Sequence, residues 1–227
     1  MGEEIVDLYV GTGANRKLFR VHKTLLCNRI PYFKKMFSGG FKEATENTAE
    51  FPEDSPEAFD ILQGWVYKDT LPKVNISTVS GNGYKEAWNI VDLYMLADKF
   101  CFFSLRDEIV NIWVWECVTK YSLPSISSMT QFYGRTPAGS GLRKLALHSL
   151  HYIMYGLDNT DSPVHREQST SKVQAMLLGN HDFLADYLKL SRQHQNDKPA
   201  QNIRYLSKCS FHGHGNEEPC TIRPSDT

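Results

Sequence analysis

The residues best able to do chemistry sit near the end of this 227-residue chain. Cys209, His212, His214 and Cys220 follow the pattern C-x2-H-x-H-x5-C. Two thiolates and two imidazoles form a donor set suited to tetrahedral zinc. Gly213 and Gly215 would let the backbone wrap around an ion. The spacing fits no common zinc finger, and H-x-H turns successive side chains apart on an extended chain. The competing reading is a tail that is disordered, or whose thiols and imidazoles pack on neighbouring helices. Two other sets are weaker. His148 and His151 are three residues apart on a predicted helix, but no acid or cysteine four residues away completes a site, so they read as surface histidines. His22 and Cys27 raise the question of a Cys–His nucleophile. Cys27 lies on a short apolar helix and reads instead as a buried structural thiol.

Bulk properties narrow the classes. The 25 basic and 26 acidic residues leave a net charge of -1, so no strong field recruits nucleic acid or an anionic membrane. The hydrophobic fraction of 41% supports a sizeable core. Five cysteines are too few and odd in number for a disulfide scaffold, which suits a reducing compartment. Met1-Gly2-Glu3-Glu4 opens no apolar signal run, and no stretch reaches the about 18 apolar residues of a membrane helix. A soluble protein of the cytoplasm, the nucleus or both is expected. No motif nominates an enzyme.

The elements that would position these residues follow from periodicity. Val6, Leu8 and Val10 alternate with Asp7 and Tyr9 as a half-buried strand, and Phe19 and Val21 belong to a return strand. Gly11 and Gly13 lack the third glycine and following helix of a dinucleotide loop, so they read as a hairpin. A short helix from His22 to Arg29 presents Leu25 and Leu26. Pro31 opens another, with Phe33, Met36 and Phe37 on one stripe and Gly39-Gly40 as a left-handed stop. Thr48 to Phe51 reads as a strand, and Ser55-Pro56-Glu57 starts a helix to about Lys68. Residues 69 to 83 read as a loop. Helices are predicted over 84–100, to about Lys120, from Leu142 through Met154, and over 182–193 with Phe183, Tyr187 and Leu188 together. Residues 156 to 171 and the end from His194 are polar.

This order resembles the BTB/POZ domain. The resemblance is carried by Val6-Asp7-Leu8-Tyr9-Val10, Phe19-Arg20-Val21-His22-Lys23-Thr24-Leu25-Leu26, Pro31-Tyr32-Phe33 through Phe41-Lys42-Glu43, Phe51-Pro52-Glu53-Asp54-Ser55-Pro56, Val66-Tyr67 and the Leu93 to Phe100 helix. It implies an α+β fold, a small β-sheet flanked by a helical cluster, followed by an all-α extension similar to that of filamentous-fungal BTB proteins. The expected organisation is a BTB/POZ domain at 1–120, a helical extension at 121–194 and a polar Cys/His tail at 195–227.

The resemblance also implies a role. BTB domains are not enzymes; they self-associate and dock partners, notably the cullin scaffolds of ubiquitin ligases. Cullin-binding members are similar to this chain at Phe41-x-Glu43. Phe41 would be the anchor and Glu43 the acid at the rim, with Phe37 and Tyr32 beside them. The competing reading folds Phe41 onto its own core. Asp7 and Lys23 match the acid and base of the charged pocket near the dimer interface of BTB transcription factors; the bland reading is a surface pair. Function is thus expected to be self-association and partner docking, as a ubiquitin-ligase adaptor or, alternatively, as a dimerising scaffold or transcriptional co-regulator.

Overall fold

The computed structural model describes residues 3–72, 88–156, 168–193, 200–213 and 220. The chain divides into two compact units, and among the described residues the second begins at Arg106.

In the first unit, β1 (Ile5–Val10) is the central strand of a three-stranded sheet ordered β2-β1-β3. It runs antiparallel to β2 (Lys17–His22) and parallel to β3 (Thr48–Phe51). The register sets Val6 opposite Val21, and Leu8 opposite Phe19 and Ala49, so one face is apolar and buried. Gly11 is required at the turn: its φ is +79°, and a Cβ there would stand 3.0 Å from Pro56 Cγ.

Five helices of this unit follow: α1 (Lys23–Arg29), α2 (Pro31–Ser38), α3 (Lys42–Glu46), α4 (Pro56–Lys68) and α5 (Ile90–Lys99). Ile30 is extended, as the residue before a proline must be, so α1 and α2 stay separate. Within α1, Leu26 is buried and Leu25 half-buried. Phe33, Phe51, Phe59 and Phe100 form one aromatic cluster, with Phe33 and Phe100 ring centroids 4.9 Å apart and Phe51 and Phe59 5.0 Å apart. Ser55 caps α4 by accepting from the Ala58 amide. Asn89 caps α5, which buries Ile90, Val91, Leu93, Tyr94, Leu96 and Ala97. The expected start of that helix at residue 84 lies outside the described residues.

Helix α4 also covers the outer margin of β2. The Lys23 amide donates to Glu4 O, so by alternation Arg20 and His22 turn their backbone groups away from β1. Gln63 Nε2 donates to Arg20 O at 2.9 Å. Tyr67 Oη accepts from the His22 amide at 3.1 Å and lies 2.7 Å from His22 Nδ1.

One expectation about termination is corrected. Gly39, the C-cap of α2, is extended at φ -88°, ψ -178°, not left-handed. The left-handed caps fall on Asn47 after α3 and Asp69 after α4.

The division between the units falls inside α6 (Phe103–Thr119), upstream of the boundary expected near residue 120. The second unit adds α7 (Ile126–Arg135), α8 (Gly141–Tyr155), α9 (Thr170–Leu178) and α10 (His181–Gln193). Neither α7 nor α9 is among the helices expected from the sequence. Tyr133 of α7 stacks on Phe183 of α10 with ring centroids 3.9 Å apart, and Trp113 meets Phe132 edge-on. Leu188 is exposed; Leu190 is buried in its place. His151 is buried, which corrects its reading as a surface histidine. The described part of the tail packs in this same unit: Ile203 and Phe211 are fully buried. Among the described residues no helix is long and apolar enough to cross a membrane.

Candidate docking surface and the Cys/His cluster

Phe41 follows the two glycines as the N-cap of α3, and its side chain is 60% exposed. Its position depends on Gly39. A Cβ on Gly39 would stand 2.8 Å from Phe41 Cδ2, so the ring lies where only a glycine leaves room. With Tyr32, Lys35, Met36 and Glu43, Phe41 lines an open groove of about 300 Å³. Tyr32 is half-buried, its ring 4.7 Å from Phe100, and so ties the groove wall to the core. Glu43 is half-exposed in the first turn of α3, where the partial positive charge of the helix start suits an acid. The groove can therefore take an apolar side chain against Phe41 and Met36 and a donor or cation against Glu43.

Phe37 is corrected out of this surface. It is 3% exposed and stacks near-parallel on Phe33, one helical turn away. The four-residue spacing that joins it to Phe33 turns it into the core.

Asp7 and Lys23 do not form the expected pair. Asp7 lies opposite Arg20 in the sheet register and meets its guanidinium at 3.4 Å. Lys23 reaches Glu4 Oε1 at 3.0 Å and Asn47 Oδ1 at 2.9 Å. The Lys23 ammonium and the Asn47 amide hold the Glu4 carboxyl below its ordinary range. His22 bonds Tyr67 rather than a thiol, while Cys27 Sγ faces Phe33 O at 3.6 Å. Burial pushes the Cys27 thiol up, opposite to what a nucleophile needs.

In the tail, Cys209, His212 and Cys220 converge: their ligand atoms all lie within 4.8 Å of one another. His214 lies outside the described residues. Sequence reasoning missed Asn111 of α6, whose Oδ1 lies 2.8 Å from His212 Nε2. A residue 101 positions away gives no local signal of that contact.

Comparison with known proteins agrees with the first unit. The BTB/POZ domain family matches residues 2–113. Kelch-like protein 25 of Xenopus laevis is 29% identical over 91 residues, covering 40% of this chain and 15% of that protein. TD and POZ domain-containing protein 4 of Mus musculus is 27% identical over 92 residues, covering 40% of this chain and 21% of that protein. The similarity therefore spans a small part of each relative. A small sheet of order β2-β1-β3, helices packed on its apolar face and the family match over 2–113 agree: this chain is a BTB/POZ domain protein.

Proposed function

We propose that the BTB domain is a non-catalytic docking module. It joins copies of this chain and seats a partner in the Phe41 groove, as a substrate adaptor for a cullin-type ubiquitin ligase in the cytoplasm or nucleus. The observation that carries this reading is the exposed Phe41 ring beside Glu43, at the rim of a groove with an apolar floor. A large aromatic held outward by a glycine-dependent turn is the form of an interface anchor. Glu43 beside it selects for complementary charge. The similarity to a Kelch-like protein supports the same reading. The second unit would then present the substrate.

The test is capture of cullin by the full chain, with light scattering to read self-association. Phe41→Ala with Glu43→Ala is expected to weaken capture at least about 30-fold, the loss of one anchor of about 2 kcal/mol. The thermal midpoint should hold, because Phe41 is exposed. Unchanged capture by the double variant would remove this groove from the interface. A wild-type chain that self-associates but captures no cullin would end the ligase reading and leave a dimerising scaffold.

A further inference from the structure

We infer that Cys209, His212 and Cys220 hold a zinc ion that staples the tail to the second unit. The geometry suits the ion. Zinc–sulfur bonds of about 2.3 Å and zinc–nitrogen bonds of about 2.0 Å require tetrahedral edges of about 3.6 Å between sulfur and nitrogen. Cys220 Sγ lies 3.5 Å from His212 Nδ1, and all three ligand atoms fall within 4.8 Å of one another. A small inward movement of Cys209 and Cys220, both exposed, closes the set.

His212 is already prepared as a ligand. Its side chain is buried. Asn111 Oδ1 is only an acceptor, so at 2.8 Å it takes the Nε2 proton. That fixes the neutral tautomer and leaves the Nδ1 lone pair directed toward Cys220. A metal-bound imidazole oriented by a hydrogen bond from its other nitrogen is the usual second layer of a zinc site.

The backbone around His212 is equally constrained. Gly213 N donates to Asp107 Oδ1 at 2.9 Å, and Lys144 Nζ donates to His212 O at 3.0 Å. Phe211 is buried beneath, and its carbonyl sits so close to α8 that a Cβ on Gly141 would fall 2.3 Å from the oxygen. Helices α6 and α8 thus grip the segment that carries the imidazole, while two exposed thiols bring the donors among the described residues to three, which leaves the fourth tetrahedral position to a water. The thiols reach His212 from two separate points of the tail, on the side of the ring away from Asn111. Two thiolates and an imidazole select zinc over magnesium or calcium, which prefer oxygen.

The test uses the full chain, purified under reducing conditions, loaded with zinc and desalted. One zinc per chain is expected by elemental analysis. Cobalt should replace it and give thiolate-to-metal charge-transfer absorption with intense tetrahedral bands. Cys220→Ser should remove most of the charge-transfer absorption while circular dichroism stays at the wild-type level. Asn111→Ala should lower zinc affinity about 10- to 100-fold yet keep the thiolate absorption, the pattern of a positioning residue. Substoichiometric zinc in the loaded wild-type protein would overturn the inference. So would a cobalt spectrum without thiolate absorption, or recovery of a Cys209–Cys220 disulfide from the reduced preparation. The wild-type cobalt spectrum decides the question even where a variant fails to fold.

Discussion

Phe37 and Phe41 are the same residue type four positions apart, and they do opposite things. Phe37 continues the stripe of Phe33 and is core; Phe41 has left the helix and faces solvent. The buried stripe was legible from spacing alone. The assignment of Phe37 to the docking surface was not justified by it, because a helical phase that buries Phe33 must also bury Phe37. The orientation of Phe41 was not legible, because it depends on the extended Gly39 and on the ring occupying the space above it. This leads to an expectation at Gly39. Its φ is ordinary, so Gly39→Ala costs nothing in backbone dihedrals, but the new methyl collides with the Phe41 ring and stands a tight 3.0 Å from Lys35 O. Partner capture should weaken about tenfold or more, a loss near 1.4 kcal/mol, while the thermal midpoint stays close to wild type. Equal loss of stability and capture would show that Gly39 serves the fold instead.

Among the elements, most of those with a clear cap and a buried stripe were legible. Helix α4 announces itself by Ser55-Pro56-Glu57, and β1 by strict alternation. Two of the missed ones, α3 and α9, lack one signal or the other, whereas α7 carries both. Helix α3 is five residues long and buries none of them. Helix α9 buries only Val173 and Met176, and its cap residue Ser169 makes no capping hydrogen bond. Helix α7 carries a readable stripe of Met129, Phe132 and Tyr133, with Ser125 accepting from Ser128 N, but the serines and glycines around it masked that signal. Caps matter most where they are buried. Ser140 caps α8 by accepting from the Arg143 amide at 3.2 Å, and its hydroxyl lies 2.7 Å from Thr136 Oγ1. Ser140→Ala removes both interactions, while Thr136 keeps its 2.6 Å donation to Phe132 O. We expect a loss of about 1–2 kcal/mol in urea unfolding, against near-neutrality for alanine at the exposed Ser127.

For the molecule as a whole, the sequence pointed correctly to the BTB fold and its helical extension, because ordered local motifs carry that information. It did not reveal that the described tail belongs to the second compact unit, since Phe211 and His212 find their partners on α6 and α8, far away in sequence. Burial across this unit also sets an alkaline limit on stability. Cys117 lies wholly inside it, and loss of solvent pushes its thiol up to about 12. Burial raises the Tyr133 hydroxyl as well. Both groups hold their protons longer in the folded than in the unfolded chain. Their contribution is complete below the unfolded thiol value near 9 and declines as pH rises toward 12. The urea midpoint should fall between pH 8 and pH 10.5. At pH 8, Cys101, which is exposed, should alkylate in the native protein, whereas Cys117 should react only after unfolding. Native-state labelling of Cys117 at a comparable rate would contradict the burial argument.

The contacts that α4 makes along β2 bear on how this chain meets other chains. A three-stranded sheet has two margins, and an open margin is a template for a foreign strand. Gln63 and Tyr67 occupy the outward carbonyl of Arg20 and the outward amide of His22, so an incoming strand finds those groups already bonded. Sheet extension on that side would require α4 to leave and the aromatic cluster around Phe59 to open. A homotypic contact, if this chain makes one, would then fall on helical faces or the short β3 margin, and the same plugging would guard the β2 margin against runaway strand-by-strand polymerisation.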